Sequence, residues 1–222
     1  VMINRYLIYI SIPLILGCKN SNFIDDSLVE KAVINGNLAQ ESFKRSLKFT
    51  NVWLERRDPE SGLIPTNLNK KIDLWEPANS AADNYPFMVL TAYLLDRDLY
   101  NGVLLDMLNN EKKLTSRIGS LPDVYSFTKK TFENEILDLG NIIFGASEYI
   151  KDGLMPLNEF IGPSPWQERM IEILDDLYIH ISDFDSLDTY YTKTSYVEEI
   201  NGEMLQTLSR VYWMTSDQKY LD

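Results

Sequence analysis

The sequence predicts an all-α protein made of helical hairpins. From about Asn37 onward, apolar residues recur at the helical spacing of three to four positions. Stretches rich in Gly, Pro, Asp and Asn separate these segments, and no long stretch alternates apolar and polar residues as a strand does. With 222 residues, 45% of them hydrophobic, the chain is large enough to bury a core in one domain, or at most two.

Residues 1–17 have the organisation of a signal peptide. Arg5 precedes an apolar run over residues 6–16, which is too short to span a membrane as an ordinary helix but fits the core of a secretory signal. The run is followed by a glycine and Cys18, an ending that resembles the lipobox of bacterial lipoproteins. The resemblance implies a lipidated Cys18, a membrane anchor outside the cytoplasm, and a polar tether over residues 18–36. The alternative is a buried N-terminal helix whose cysteine is incidental.

The first two predicted helices differ in how we expect them to be buried. One helix, over about residues 38–56, has a loose apolar stripe between charged positions. The next begins near Asp83, where a capping residue is followed by Pro86 in the first turn. It continues to about Leu95 and is apolar on every face, so we expect it to be buried on all sides.

Four further helices complete the predicted architecture. They are expected over about residues 99–114, 134–149, 166–180 and 202–214. A turn sequence also repeats, because residues 61–65 read SGLIP and residues 152–156 read DGLMP, each just after a predicted helix. The repetition favours stacked helical hairpins, and a plain bundle with chance matches is the alternative.

Composition excludes several classes of function. Lys and Arg total 21 against 33 Asp and Glu, a formal net charge of −12. This charge disfavours nucleic acid as a partner, because phosphates are bound mainly through cations. With only one His and one Cys, the chain has too few of these residues for a zinc site built from His and Cys ligands or for a disulfide framework. The sequence has no Gly-rich phosphate loop either, and we expect neither a cofactor nor a metal.

Three segments resemble the six-hairpin glycosidase superfamily. They are the loop DPESGL over residues 58–63, the helix start SAADNYPF over residues 80–87 and the closing segment over residues 205–221. The resemblance implies an (α/α) toroid over residues 37–222, in which outer helices ring inner ones and a carbohydrate cleft opens at one end. Six helices supply three hairpins, about half of such a ring, so we expect the N-terminal part of a longer protein. A small open bundle is the alternative.

The same resemblance implies hydrolysis of an oligo- or polysaccharide. Cleavage of a glycosidic bond requires a proton donor and a second carboxylate at the cleft. We expect Asp83 and Glu203 to form this pair, because each lies near the start of a predicted inner helix. Glu76 is the third candidate for a catalytic carboxylate. Asp83 has a second interpretation, since aspartate at a helix start also caps the helix and favours its dipole.

Four residues are candidates for sugar binding. Trp75, Tyr85 and Trp166 lie beside loops and could stack on sugar rings, or each could pack beneath its loop as core. Arg169 could clamp a uronate carboxylate, or pair with a neighbouring glutamate at the surface. Two other functions stay open: a glycan-binding or scaffold lipoprotein without catalysis, and an epimerase or lyase on the same fold.

Overall fold

The computed structural model describes residues 26–68, 73–186 and 197–221. The chain divides into two units, residues 1–42 and residues 43–222. The predicted signal peptide and Cys18 lie outside the described residues, so the lipoprotein anchor stays a prediction. None of the described helices combines the length and the apolar character that crossing a membrane requires.

Helices make up most of the described chain, which confirms the all-α class. The α-helices are α1 (Asp26–Leu54), α2 (Tyr85–Leu95), α3 (Arg97–Leu99), α4 (Leu105–Thr115), α5 (Leu139–Glu148), α6 (Met155–Ile161), α7 (Pro165–Ser186) and α8 (Val197–Thr215). Three π-helical segments lie between them: π1 (Pro77–Asn84), π2 (Tyr100–Leu104) and π3 (Tyr149–Leu154). A 3₁₀ turn, Gln218–Tyr220, follows α8.

Helix α1 begins at Asp26, well before the start predicted near residue 38. The part of the predicted polar tether from Asp26 to residue 36 is therefore helical. Asp26 stabilises this start, because a carboxylate in the first turn faces the positive end of the helix dipole. The side chains of residues 26–42 are all exposed, including those of the apolar residues Leu28, Val29, Val33 and Ile34, whose near-helical spacing was not recognised as a helix.

The π-helical segments explain where other predicted helix boundaries were wrong. Segment π1 starts at Pro77, a residue suited to the first turn, and runs directly into α2, so the helix begins before Asp83. Segment π3 joins α5 to α6, so the helix predicted over residues 134–149 begins at Leu139 and continues to Ile161. The DGLMP sequence is therefore helical, whereas SGLIP is a loop with Gly62 at φ 74°. The two similar sequences do not repeat a conformation.

Short antiparallel strands connect the helices. The strands are β1 (Leu74–Trp75), β2 (Ser116–Ile118), β3 (Leu121–Pro122), β4 (Tyr125–Ser126) and β5 (Thr131–Phe132). One sheet has the order β1-β4-β5, with Trp75 opposite Tyr125 and Tyr125 opposite Phe132, and the other pairs β2 with β3. The first sheet fixes the chain immediately before π1.

The core is formed by aliphatic and aromatic side chains from the end of α1, at Trp53, through α8 and Tyr220 after it. Its fully buried members include Met88, Val89, Leu104, Ile143, Ile150, Leu154, Met170, Leu174 and Val211. Within it, Gly153 allows π3 to lie directly against π1: a Cβ at Gly153 would be 3.1 Å from the carbonyl oxygen of Ala81 and 3.1 Å from Cα of Ala82. This close packing brings the polar side chains of the two π-helical segments to one region of the surface.

Candidate functional site

Three adjoining cavities follow the C-terminal half of α1 and the turn after it. The first, of about 540 Å³, is lined by Arg45, Ser46, Phe49, Asp83, Phe87 and Thr91. The second, of about 630 Å³, shares Arg45 and Phe49 with the first and adds Lys48, Val52, Trp53, Asn67, Leu68 and Asn84 among others. The third, of about 290 Å³, shares Asn67 and Leu68 with the second and adds Arg56, Arg57, Asp58 and Phe127. We call these three cavities the α1 groove.

Asp83 lies in the α1 groove. Its side chain is exposed near the end of π1, in the same cavity as the rings of Phe49, which is 41% exposed, and Phe87, which is 58% exposed. Partial burial of the carboxyl group raises the pKa of Asp83, and the negative charge of Asp152 raises it further. A raised pKa allows a carboxylic acid to keep its proton closer to neutral pH, as a proton donor must.

A second acidic group surrounds Lys151 on π3. The Nζ atom of Lys151 lies 3.0 Å from Oε1 of Glu203, on α8, and 3.1 Å from Oδ2 of Asp152. Oε1 of Glu148 is 3.4 Å from the same nitrogen. Ser147 donates a hydrogen bond of 2.5 Å to Glu203, whose side chain is only 4% exposed. One ammonium group therefore faces three carboxyl groups.

This imbalance of charge distributes the protons of the cluster unequally. Burial and the hydrogen bond with Glu203 raise the pKa of Glu148 to about 8. Burial also acts to raise the pKa of Glu203, but hydrogen bonds from three neighbours, Glu148 among them, outweigh it and lower that pKa. For Lys151, burial opposes the charged form, but the hydrogen bonds to Glu203 and Asp152 prevail and raise its pKa. Near neutral pH, Glu148 is a carboxylic acid and Glu203 a carboxylate.

Glu199 adds a further carboxylate beside this pair. One carboxylate oxygen from each of Glu148, Glu199 and Glu203 lies within 4.8 Å of the other two. Oxygen ligands of this kind suit a hard cation such as Ca²⁺. The ammonium group of Lys151 already neutralises part of this charge, and we assign no metal to the cluster.

The three predicted catalytic residues lie in different environments. Asp83 lines the α1 groove, whereas Glu203 is buried and holds Lys151. The two are linked indirectly, because Asp152 acts on the pKa of Asp83 and also contacts Lys151. Glu76 precedes π1, and its Oε2 atom accepts a hydrogen bond of 2.7 Å from the Asn79 amide, which holds the start of that segment.

The three aromatic residues predicted to stack on sugars belong to the core. Trp166 is 1% exposed, and its Nε1 atom donates a hydrogen bond of 2.8 Å to the hydroxyl of Tyr85. Tyr85 in turn donates to the carbonyl oxygen of Leu104 at 2.7 Å. Trp75 packs edge-on against Tyr149, with ring centroids 6.5 Å apart. Because these rings present no face to solvent, the binding role is corrected to core packing, where their large apolar area stabilises the fold.

Arg169 is also internal, and its partner is neither of the neighbouring glutamates considered from the sequence. Its Nε and Nη2 atoms donate to the two carboxylate oxygens of Glu111 at 3.0 Å and 2.6 Å. Its Nη1 atom donates to the carbonyl oxygen of Ser120 at 2.8 Å. This bidentate ion pair is almost fully buried, so we replace the predicted uronate clamp by a structural role that ties α7 to α4.

Several residues of these two sites were not predicted from the sequence. Glu148 and Asp152 are four positions apart, a spacing that places two side chains on one helix face, but the predicted helix ended between them. Arg45 and Lys48 are three positions apart on α1, a spacing that places both on one helix face, and Arg56 follows in the turn after the helix. What the sequence did not contain was the position of π1 against that face.

Comparison of the chain with models of protein families, with curated proteins and with solved structures gives no match. The relationship to six-hairpin glycosidases therefore stays a prediction from the three sequence segments that carry it.

Proposed function

We propose that the chain hydrolyses a glycosidic bond of an oligo- or polysaccharide bound in the α1 groove, with Asp83 as the proton donor. One observation carries the proposal: a carboxyl group with a raised pKa lies inside a cavity of about 540 Å³. Glycosidic hydrolysis needs an acid that is still protonated when the leaving oxygen takes up the proton.

The lining of the groove suits a saccharide. Phe49 and Phe87 offer exposed aromatic rings, against which the apolar CH faces of sugar rings pack. The amide of Asn84 lines the adjoining cavity and can donate to and accept from sugar hydroxyls. A few polar groups among apolar rings are typical of a site that orients a ligand with hydroxyls on its edges.

Asp152 takes the place of Glu203 as the second carboxylate of the proposal. Its side chain is 46% exposed and its charge acts on Asp83, whereas Glu203 is buried and bonded to Ser147 and Lys151. Two neighbouring carboxyl groups cannot ionise independently, because the first negative charge opposes the second. We therefore assign the role of proton donor to Asp83 and the role of second carboxylate, which stabilises the developing positive charge or activates water, to Asp152.

For the whole chain we propose a carbohydrate-active lipoprotein, anchored through Cys18 outside the cytoplasm and built as part of an (α/α) toroid. The signal-like residues 1–17 and the DPESGL and SAADNYPF segments support this assignment. Mass spectrometry of the N-terminal peptide after expression in a bacterium tests the anchor. We expect a lipid on Cys18 and none on the Cys18→Ser variant, and an unprocessed N-terminus would contradict the anchor.

Release of reducing ends from polygalacturonate, xylan and mannan tests the hydrolase. We expect the chain to cleave at least one of them, and Asp83→Asn to lower kcat by about 100-fold or more. Asp98→Asn, at an exposed position on α3, is the matched control and should retain full activity. An Asp83→Asn variant as active as the control would overturn the assignment of the proton donor.

Glycan binding without catalysis is the second candidate. It is favoured by the small number of carboxylates among the described residues that line the groove, Asp58 and Asp83. Asp58 is engaged by its own loop, since its Oδ2 atom accepts from the backbone N–H and the hydroxyl of Ser61, each at 2.7 Å. Saturable polysaccharide binding with no release of reducing ends would favour this candidate over hydrolysis.

A further inference from the structure

The α1 groove contains cations without a carboxylate partner. Lys48, Arg56 and Arg57 all line it and all have exposed side chains. None of the three forms an ion pair with any residue in the described part of the chain. Their positive charge is therefore directed at solvent and at whatever occupies the groove.

Most cations in the C-terminal half of the described chain are paired. After residue 111, every described Lys and Arg except Lys113 forms an ion pair. These pairs are Lys112–Glu172, Arg117–Asp123, Lys129–Glu133, Lys130–Glu60, Lys151–Glu203, Arg169–Glu111, Arg210–Glu159 and Lys219–Asp175. Other cations without an ion pair occur in the described chain, Lys31, Lys44 and Arg97 among them, but Lys48, Arg56 and Arg57 are the ones that line the α1 groove together.

The carboxylates in the groove do not balance this charge. The three cations above line it against two carboxylates, those of Asp58 and Asp83. The carboxylate of Asp58 is also hydrogen-bonded to Ser61 within its own loop, so the lining presents more cations than carboxylates to a ligand. A concave surface with a cationic lining attracts anions, even on a molecule whose total charge is negative.

We propose that the α1 groove takes an anionic glycan, a saccharide that carries carboxylate or sulfate groups, in preference to a neutral one. This inference rests on the proposed function, which makes the groove a saccharide site. The cations pair with the acidic substituents, while the rings of Phe49 and Phe87 pack against the sugar faces. A nucleic acid fits less well, because its dense phosphate charge would be repelled by the acidic remainder of the chain.

Affinity measurements with four probes test the preference, using the full chain at low salt. The probes are polygalacturonate, dextran sulfate, neutral dextran and a single-stranded oligothymidylate. We expect binding of polygalacturonate or dextran sulfate at least tenfold tighter than binding of dextran, and weaker with added salt because ions screen the exposed cations. Whichever of the two anionic polymers binds more tightly identifies the acidic substituent. Dextran bound equally well, or oligothymidylate bound as tightly as the anionic glycans, would overturn the proposal.

Variants that remove positive charge test whether the cations of the α1 groove bind the anionic glycan. We expect the Lys48→Gln/Arg57→Gln double variant to bind the anionic glycan about tenfold more weakly, with an unchanged melting temperature. Lys113→Gln, which removes an exposed cation outside the groove, is the control and should bind as the unaltered chain does. Equal affinity of the double variant and the control would contradict the proposal. If the chain binds an anionic glycan but hydrolyses none, only the hydrolase assignment is contradicted. If it hydrolyses only a neutral glycan, and this activity depends on Asp83, only the preference for anionic glycans is contradicted.

Discussion

Glu148 and Glu203 share one proton across the contact between helix α5 and helix α8. Glu148, at the end of α5, is hydrogen-bonded to Glu203, and the pKa of Glu148 is raised to about 8 while that of Glu203 is lowered. Lys151 contacts both carboxyl groups, and Asp152 and Glu199 lie beside them. The contact is strongest when Glu148 is protonated, so its strength depends on pH.

We predict that the folded state loses stability as the pH rises from about 5 to about 8. The native chain keeps a proton on Glu148 in this range and the unfolded chain does not, so raising the pH favours unfolding. The contribution of this proton is complete below the ordinary glutamate pKa and is lost as the pH passes about 8. Because solvent still screens the partly exposed carboxyl, we expect a loss of about 1–2 kcal/mol, measured by urea denaturation at several pH values.

Glu148→Gln should remove most of this pH dependence. The glutamine amide can donate to Glu203 at any pH, so the variant should match the unaltered chain near pH 5 and exceed its stability at pH 8. Glu135→Gln, at an exposed position in the loop before α5, is the control and should leave the slope unchanged. A Glu148→Gln variant with the same slope as the control would show that Glu148 does not hold the proton.

Asp152→Asn should lower kcat/KM of the proposed hydrolysis, because it removes the second carboxylate, and should also shift the pH profile of the activity that remains. The charge of Asp152 helps to raise the pKa of Asp83, so removing it should lower that pKa. A proton donor loses activity as the pH rises through its pKa, and the alkaline limb of kcat/KM should therefore move to lower pH. An alkaline limb that stays in place, or moves to higher pH, would contradict the coupling of these two carboxyl groups.

Arg169→Met should destabilise the fold rather than weaken ligand binding. The substitution leaves the carboxylate of Glu111 buried without its cation, which we expect to cost about 3–5 kcal/mol in urea denaturation. Arg210→Met breaks a more exposed pair with Glu159 and should cost less than about 1 kcal/mol. The double variant Arg169→Met/Glu111→Leu should recover much of the loss. Normal stability of Arg169→Met together with lost glycan binding would restore the uronate clamp predicted from the sequence.

Gly153→Ala should weaken the contact between the two π-helical segments. The added Cβ would lie 3.1 Å from backbone atoms of Ala81 and Ala82, which cannot move independently, and we expect a cost of about 1–3 kcal/mol. Gly202→Ala, on α8, is the matched control because its Cβ would meet nothing within 4 Å. That control should stabilise the chain by about 0.5–1 kcal/mol, since alanine favours a helix. Equal stability changes for the two variants would contradict the close packing.

The helical class was readable from the sequence, and the exceptions have physical causes. Apolar periodicity located α4 and α7, because each buries one face. Helix α2 was found because almost all its residues are apolar, but the expectation that it is buried on all sides was wrong, since Phe87, Leu94 and Leu95 are exposed. The prediction missed residues 26–37 of α1, whose side chains are exposed, and it missed strands of two or three residues, which are too short to show an alternating pattern. The sequence DGLMP was interpreted as a turn because glycine and proline usually interrupt helices, but here Gly153 lies in a helix at a close contact.

The candidate site was less predictable than the fold. Asp83 was predicted at a helix start, but it lies near the end of π1, where it lines the α1 groove, and its catalytic role stays a prediction. The prediction that Trp166 and Arg169 bind sugar was wrong, because a residue beside a loop can point inward. No local feature of the sequence reveals that Arg169 pairs with Glu111, because the two residues are distant in the sequence. The pairing of Glu148 with Glu203 is long-range in the same way.

Hydroxyl-radical footprinting with bound polygalacturonate tests most directly whether the α1 groove is the glycan site. The method reports side-chain exposure, and the chain carries both test and reference residues: Phe49 and Phe87 in the groove, and Trp213, 85% exposed, on α8. We predict that saturating glycan lowers the oxidation of Phe49 and Phe87 severalfold and leaves Trp213 unchanged. Unaltered oxidation of both phenylalanines under conditions of saturated binding, or protection of Trp213 instead, would contradict the groove as the binding site.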